Sequence, residues 1–227
     1  MKYKALLLDI DDTLYCYDSA HSAANKSVID FFKNKLNIDE TTVISTYKKA
    51  RKKTHIDLSE TAASHNRLLY FQKMCESLEV NPLKNGIKLY NLYWDIYLEN
   101  LQPFDGVYDL LKKYNQNICF VTDLTAHIQY RKIEKLKFYD YSKIIVTSEE
   151  SGKEKPHPYI FIKALQKLDK NPHEVCMIGD NFKKDIIGAN NLGIDSIWFN
   201  HKEKQSNYQD ISIKEANIFR EILELVW

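Results

Sequence analysis

Apolar positions along this chain follow two rhythms. Residues 4–10, Lys-Ala-Leu-Leu-Leu-Asp-Ile, form an apolar run of strand length. Such runs suit a parallel strand covered on both faces. Residues 117–121, 143–147 and 174–178 have the same character, and a fifth run, 194–199, follows Gly193. Between them the spacing predicts helices over 107–114, 126–137, 159–168 and 182–191. Alternation of strand and helix predicts a parallel sheet wound with right-handed crossovers. The tail, 212–226, reads as a final amphipathic helix.

Residues 19–100 break this rhythm. They hold no strand-like run, one glycine (Gly86) and one proline (Pro82). Periodic apolar positions predict helices over 20–36, 40–54, 60–78 and 83–101. In the third, Leu68, Leu69, Phe71, Gln72 and Cys75 show the i, i+3, i+4 spacing of one helical face. A helical insertion after the first strand follows, with a core of residues 1–15 and 102–227 and an insert of 16–101. No internal repeat or low-complexity segment interrupts either part, and the basic run 48–53 reads as a solvated helix face.

Composition narrows the partners. Lys and Arg number 32 against 31 Asp and Glu, so no long-range field selects nucleic acid or an anionic membrane. At 44% hydrophobic residues the 227-residue chain can bury a substantial core. No apolar stretch approaches the roughly 20 residues that span a bilayer. Cys16, Cys75, Cys119 and Cys176 are far apart and form no CxxC pair. With no secretory signal they read as reduced thiols of a cytoplasmic protein. Monomer and homodimer both remain open.

Chemistry concentrates at the strand ends, where open α/β sheets bind ligands. The first strand runs into Asp9-Ile10-Asp11-Asp12-Thr13, and the fourth into Gly179-Asp180, with Asp185 five residues on. Crowded carboxylates repel, and a cation removes that cost. Two acidic strand ends point to one shared hard divalent ion, and magnesium takes one or two carboxylates plus waters and phosphate oxygens. The second strand ends in Thr122-Asp123, which offers a hydroxyl to a phosphate oxygen. Lys155 sits in Lys155-Pro156-His157-Pro158, where two prolines stiffen the loop; Lys153 is the rival ammonium. A carboxylate nucleophile, a metal, a hydroxyl and an ammonium are the parts of phosphoryl transfer through an acyl phosphate.

These motifs, in this order, resemble those of the haloacid dehalogenase (HAD) superfamily, phosphatase branch. DxDxT matches residues 9–13, the apolar run ending in Thr matches 118–122, Lys-Pro-x-Pro matches 155–158, and GDxxxxD matches 179–185. The resemblance spans essentially the whole chain. It implies a Rossmann-like three-layer α/β core with a parallel sheet, plus a C1-type helical cap, in the subgroup of nucleotidase-like and sugar-phosphate phosphatases. It implies that Asp9 becomes phosphorylated and that Asp11 protonates the leaving alcohol and then activates water. Mg²⁺ would be held by Asp9, the Asp11 backbone carbonyl and Asp180. Thr122, Asp123 and Lys155 would surround the phosphoryl group, with Asp185 and Asn181 supporting them. The substrate would be a small phosphorylated metabolite, and in the cap Arg67 and His65 would contribute to choosing it. Asp12 stands where many members carry Gly, and His157 replaces a frequent Asp.

Competing readings use the same framework. A haloacid dehalogenase would lack the acid at Asp11, and a phosphonatase would need a Schiff-base lysine in the cap. A phosphomutase or other phosphotransferase would return the phosphoryl group to an organic acceptor. An inactive binding module would usually have lost the nucleophile or the acid, and both are here. Tyr15, Tyr17 and His21 follow the nucleophile as candidate pocket residues, whereas Cys119 and Cys176 fall inside strand runs and read as core.

Overall fold

A computed structural model describes residues 1–205 and 213–227. In chain order the elements are β1 (Ala5–Leu8), α1 (Tyr17–Leu36), α2 (Glu40–Asp57), α3 (Arg67–Ser77), α4 (Pro82–Glu99), α5 (Val107–Lys113) and β2 (Ile118–Thr122). There follow α6 (Ala126–Leu136), β3 (Ile144–Thr147), α7 (Ser148–Ser151), α8 (Pro158–Leu168), β4 (Val175–Gly179), α9 (Gly188–Asn190), β5 (Asp195–Phe199), β6 (Lys214–Ala216) and α10 (Phe219–Leu225). The described residues divide into two compact units, Met1–Cys16 with Pro103–Trp227, and Tyr17–Gln102.

The first unit is a three-layer α/β core. Its sheet has the order β3-β2-β1-β4-β5-β6, and every pairing is parallel. The apolar runs explain the centre. β1, β2 and β4 are buried at every position, because side chains alternate to opposite faces and both faces are covered. On one face Leu7, Val121, Met177 and Val146 pack with Phe161 and Ala164 of α8. On the other, Phe120 stacks on Phe138. Register places Leu7 opposite both Cys119 and Met177, so the carboxyl ends of three neighbouring strands open at one edge.

The tail departs from its expected helix. Ser212 lies outside the described residues, Lys214–Ala216 add β6 to the sheet edge, and the helix covers only Phe219–Leu225. A Lys-Glu-Ala stretch has no strand pattern of its own; pairing with β5 imposes it.

The second unit contains α1 to α4. α4 carries Leu89, Tyr93, Trp94 and Tyr97 as its buried face. Pro82 at its first turn and the Asn81 side chain, which accepts from the Lys84 amide, start it. The helix expected over 60–78 is interrupted. Ala62–His65 is a 3₁₀ turn, and Asn66 is extended (φ −71°, ψ 110°) and caps α3 by accepting from the Leu68 amide at 2.9 Å. Asn favours caps over helix interiors. Among the described residues no helix is long and apolar enough to cross a membrane, and all four thiols are free.

Candidate active site

Three strand ends deliver the acidic motifs to one place. Asp9 follows β1 directly and is 5% exposed. Its Oδ2 accepts from Thr13 Oγ1 at 2.9 Å, and its Oδ1 accepts from Lys155 Nζ at 2.6 Å. Thr13 Oγ1 also accepts from the Asp180 amide at 3.0 Å, tying the β1 loop to the β4 loop. Lys155, rather than Lys153, reaches this centre. Its ammonium also donates to the Val121 carbonyl at 3.0 Å and lies 2.7 Å from Asp185 Oδ1. That last contact is an ion pair without aligned hydrogen-bond geometry.

Each acid is shifted by its surroundings. Burial pushes the Asp9 carboxyl up to about 7 against the pull of Lys155, and Asp185 adds to the rise. Burial and the charge of Asp9 push Asp180 up to about 6, with Lys204 opposing. Burial likewise raises Asp185. Burial alone would lower Lys155, but the carboxylates of Asp185 and Asp9 overcome it and raise its pKa. Buried carboxylates raised by one another are short of positive charge.

Asp9, Asp180 and Asp185 each offer an oxygen within 4.8 Å of the others. An all-oxygen donor set of this kind suits a hard divalent cation such as Mg²⁺. Asp185 therefore joins the candidate ligand group, while the Asp11 carboxylate faces elsewhere.

Supporting residues explain how the loops hold their shape. Asp12 has a left-handed backbone (φ 64°), which Asp tolerates better than most residues. Its carboxylate pairs with Lys202 at 2.5 Å. His157 caps α8, its Nδ1 accepting from the Tyr159 amide at 3.2 Å. Asn181 caps the π-helical turn Phe182–Ile187 through the Lys184 amide, and its own amide donates to Asp185 Oδ2. Asp123 braces its surroundings: its carboxylate accepts from the Lys155 amide at 3.0 Å and from Lys184 Nζ at 2.8 Å. Gly179 is required by close approach, since a Cβ there would run into the Asp185 carboxylate.

Thr122 and Asp11 meet residues that the motif reading passed over. Gln129 Nε2 of α6 lies 2.8 Å from Thr122 Oγ1 and 2.7 Å from Asp11 Oδ2. Lys132 Nζ lies 2.5 Å from Asp11 Oδ1, and the Tyr15 hydroxyl donates to the same oxygen. Burial would raise the Asp11 carboxyl, but Lys132, with Tyr15 and Gln129 as donors, holds it below the usual range. A signal was available. Gln129, Lys132, Ile133 and Leu136 share the i, i+3, i+4, i+7 spacing, so two polar side chains stand on the buried face of α6.

Arg67 and His65 belong to the second unit. Arg67 is 4% exposed; it donates to the His65 carbonyl and to the Tyr17 hydroxyl, both at 2.9 Å. Its guanidinium lies over the rings of Tyr70, Tyr93 and Trp94 at 5.1, 5.4 and 5.7 Å. His65 stands edge-on to His55, with ring centres 4.7 Å apart.

Comparison with known proteins adds an independent line. The family model for haloacid dehalogenase-like hydrolases matches residues 3–193. A ribulose-1,5-bisphosphate 5-phosphatase of Halopiger xanaduensis is 32% identical over 205 residues, covering 88% of this chain and 86% of its own. A glyceraldehyde 3-phosphate phosphatase of Pyrococcus furiosus is 27% identical over 234 residues, covering 98% and 94%. Among solved structures, a HAD-hydrolase of Bacillus subtilis bound to magnesium superposes with a TM-score of 0.77 at 22% identity, over 100% of this chain and 99% of that one.

Proposed function

Because this chain belongs to the haloacid dehalogenase-like hydrolase family, we propose that it is a phosphatase that cleaves small phosphate monoesters in two transfers through Asp9. The observation that carries this reading is the buried Lys155 ammonium set between Asp9 and Asp185, at 2.6 and 2.7 Å, where Asp180 also converges.

In the first transfer an Asp9 carboxylate oxygen bonds to phosphorus while the ester P–O bond breaks. The electron pair of that bond goes to the leaving oxygen, which takes a proton from Asp11 and departs as the alcohol. Asp11, ionised beside Lys132 in the free protein, takes that proton up from solvent before the transfer. In the second, a water oxygen bonds to phosphorus, its proton passes to Asp11, and the Asp9–phosphorus bond breaks to release phosphate. Lys155 offsets the charge on Asp9 and on the phosphoryl oxygens, and Thr122 turns its hydroxyl to one of those oxygens. The Asp123 carboxylate keeps the Lys155 backbone in place.

Mg²⁺ would be held by Asp9, Asp180 and the Asp11 backbone carbonyl, with Asp185 beside them and Asn181 fixing Asp185. Bound there, it would supply positive charge against the phosphoryl oxygens. Relatives named for ribulose-1,5-bisphosphate and glyceraldehyde 3-phosphate support a phosphorylated sugar or sugar-like metabolite as substrate. In the second unit, Arg67 and His65 are the residues proposed to discriminate among such compounds.

The test is turnover of p-nitrophenyl phosphate with Mg²⁺ by the wild type and by Asp9→Asn, alongside circular dichroism. Asp9→Asn should be folded and lose turnover by at least ~10³-fold, as expected when a covalent nucleophile is removed. A folded Asp9→Asn that keeps wild-type activity would discard the covalent route.

A further inference from the structure

The polar residues on the buried face of α6 have no place in the two transfers as described. We propose that Gln129 and Lys132 are positioning residues for Asp11, fixing where its carboxylate stands relative to the phosphoryl site. This rests on Asp11 being the acid and base of the proposed reaction.

Both oxygens of Asp11 are held. Lys132 Nζ lies 2.5 Å from Oδ1, where the Tyr15 hydroxyl also donates, and Gln129 Nε2 lies 2.7 Å from Oδ2. Gln129 and Lys132 are 0% and 1% exposed. A helix that otherwise buries Ile128, Ile133 and Leu136 thus gives two inward positions to polar groups, whose desolvation costs stability unless they are well paired.

Gln129 makes a second link. The same Nε2 lies 2.8 Å from Thr122 Oγ1 and 2.9 Å from the Asp123 carbonyl. Two N–H bonds face three acceptors. If Thr122 turns its hydroxyl toward a phosphoryl oxygen, the amide still has Asp11 and the Asp123 carbonyl as partners and stays where it is. One side chain therefore holds the proton carrier and the phosphoryl-binding hydroxyl in a common frame. An acid displaced by an ångström loses much of its effect even when its chemistry is intact.

Leaving groups separate this role from general support of the fold. An alkoxide needs its proton as the P–O bond breaks, whereas nitrophenolate leaves well without one. The value of kcat/KM covers only the steps up to release of the alcohol, so the shared second transfer does not blur it. We would measure kcat/KM for glycerol phosphate and for p-nitrophenyl phosphate in the wild type, Lys132→Met, Gln129→Met, Lys132→Arg and Asp11→Asn. For Lys132→Met and Gln129→Met the loss on glycerol phosphate should exceed the loss on the aryl ester by at least ~10-fold, a fraction of the ~10²–10⁴ that general acids contribute. Lys132→Arg, which keeps the charge, should recover most of that difference.

Aryl turnover also reports that each variant is folded, and Gln129→Met serves if Lys132→Met is not. Equal losses on both esters, or none, would overturn the positioning role. A folded Asp11→Asn without the leaving-group difference would instead overturn the reading of Asp11 itself, and the positioning role with it.

Discussion

At the scale of single residues, the site is a balance of buried charge. Asp9 and Asp180 rise to about 7 and about 6 because burial opposes ionisation, as does repulsion from Asp185 at the first and from Asp9 at the second. A divalent ion among them must displace whatever protons they carry. The sign follows: lowering the pH favours the protonated acids and weakens metal binding. Calorimetric titration with Mg²⁺ at pH 8, 7 and 6 should show affinity falling, by up to about tenfold per pH unit for each proton displaced. An affinity that does not change with pH would contradict this account. Gly179 sets a second limit at this scale. Gly179→Ala drives a methyl group into the Asp185 carboxylate and should cost about 1–3 kcal/mol of stability, as overpacking does. Turnover should fall with it, because Asp185 pairs with Lys155. Thermal melts and aryl phosphatase assays would check both; a wild-type melt and rate would show the pocket to be looser than described.

Elements were legible in the sequence in proportion to how far their own residues dictate them. The central strands announced themselves because burial on both faces demands continuous apolar runs, as in Ala5–Leu8 and Val175–Gly179. β6 was hidden, since Lys214-Glu215-Ala216 takes its conformation from β5. The interruption before α3 turned on Asn66 leaving the helix to cap its successor. Motif residues Asp9, Lys155, Asp180 and Asp185 come together, whereas Gln129 and Lys132 escaped notice because polar residues inside a helix usually face water. In the helical unit, α1 and α4 meet through His21, whose Nδ1 is 2.7 Å from the Tyr93 hydroxyl and whose Nε2 is 2.9 Å from Asn25 Nδ2. With the amide donating to Nε2, the ring is neutral, and burial lowers its pKa from 6.5 to about 3. Its contribution to stability is complete above pH 6.5 and is lost as the pH falls toward 3. His21→Gln keeps hydrogen-bonding groups at that position without titrating there. Between pH 7 and pH 4.5 the variant should therefore lose less melting temperature than the wild type; parallel losses would remove His21 as the cause.

For the whole molecule, the two units differ in what acid should do to them. The half-buried neutral histidine His21 lies in the helical unit, while β1, β2 and β4 are buried at every position and hold no histidine or carboxylate. Hydrogen-exchange mass spectrometry at pH 7 and pH 4.5, expressed as protection factors, should show protection falling first in α1 and α4 and persisting in the three strands. Simultaneous loss across both units would mean that they open as one. The place of β1 in the sheet has a consequence for biosynthesis. The strand that leads into Asp9 is made before both of its partners, since it pairs on one side with residues 118–120 and on the other with residues 175–178. While the ribosome works through the intervening segments, Ala5–Leu8 is an apolar ribbon with both hydrogen-bonding edges open, the form most liable to pair with the wrong chain. A polypeptide stalled ahead of Val175 would leave one of those edges bare. Chaperone demand during expression should therefore be highest in that interval, and truncations ending within it should aggregate where the full chain does not.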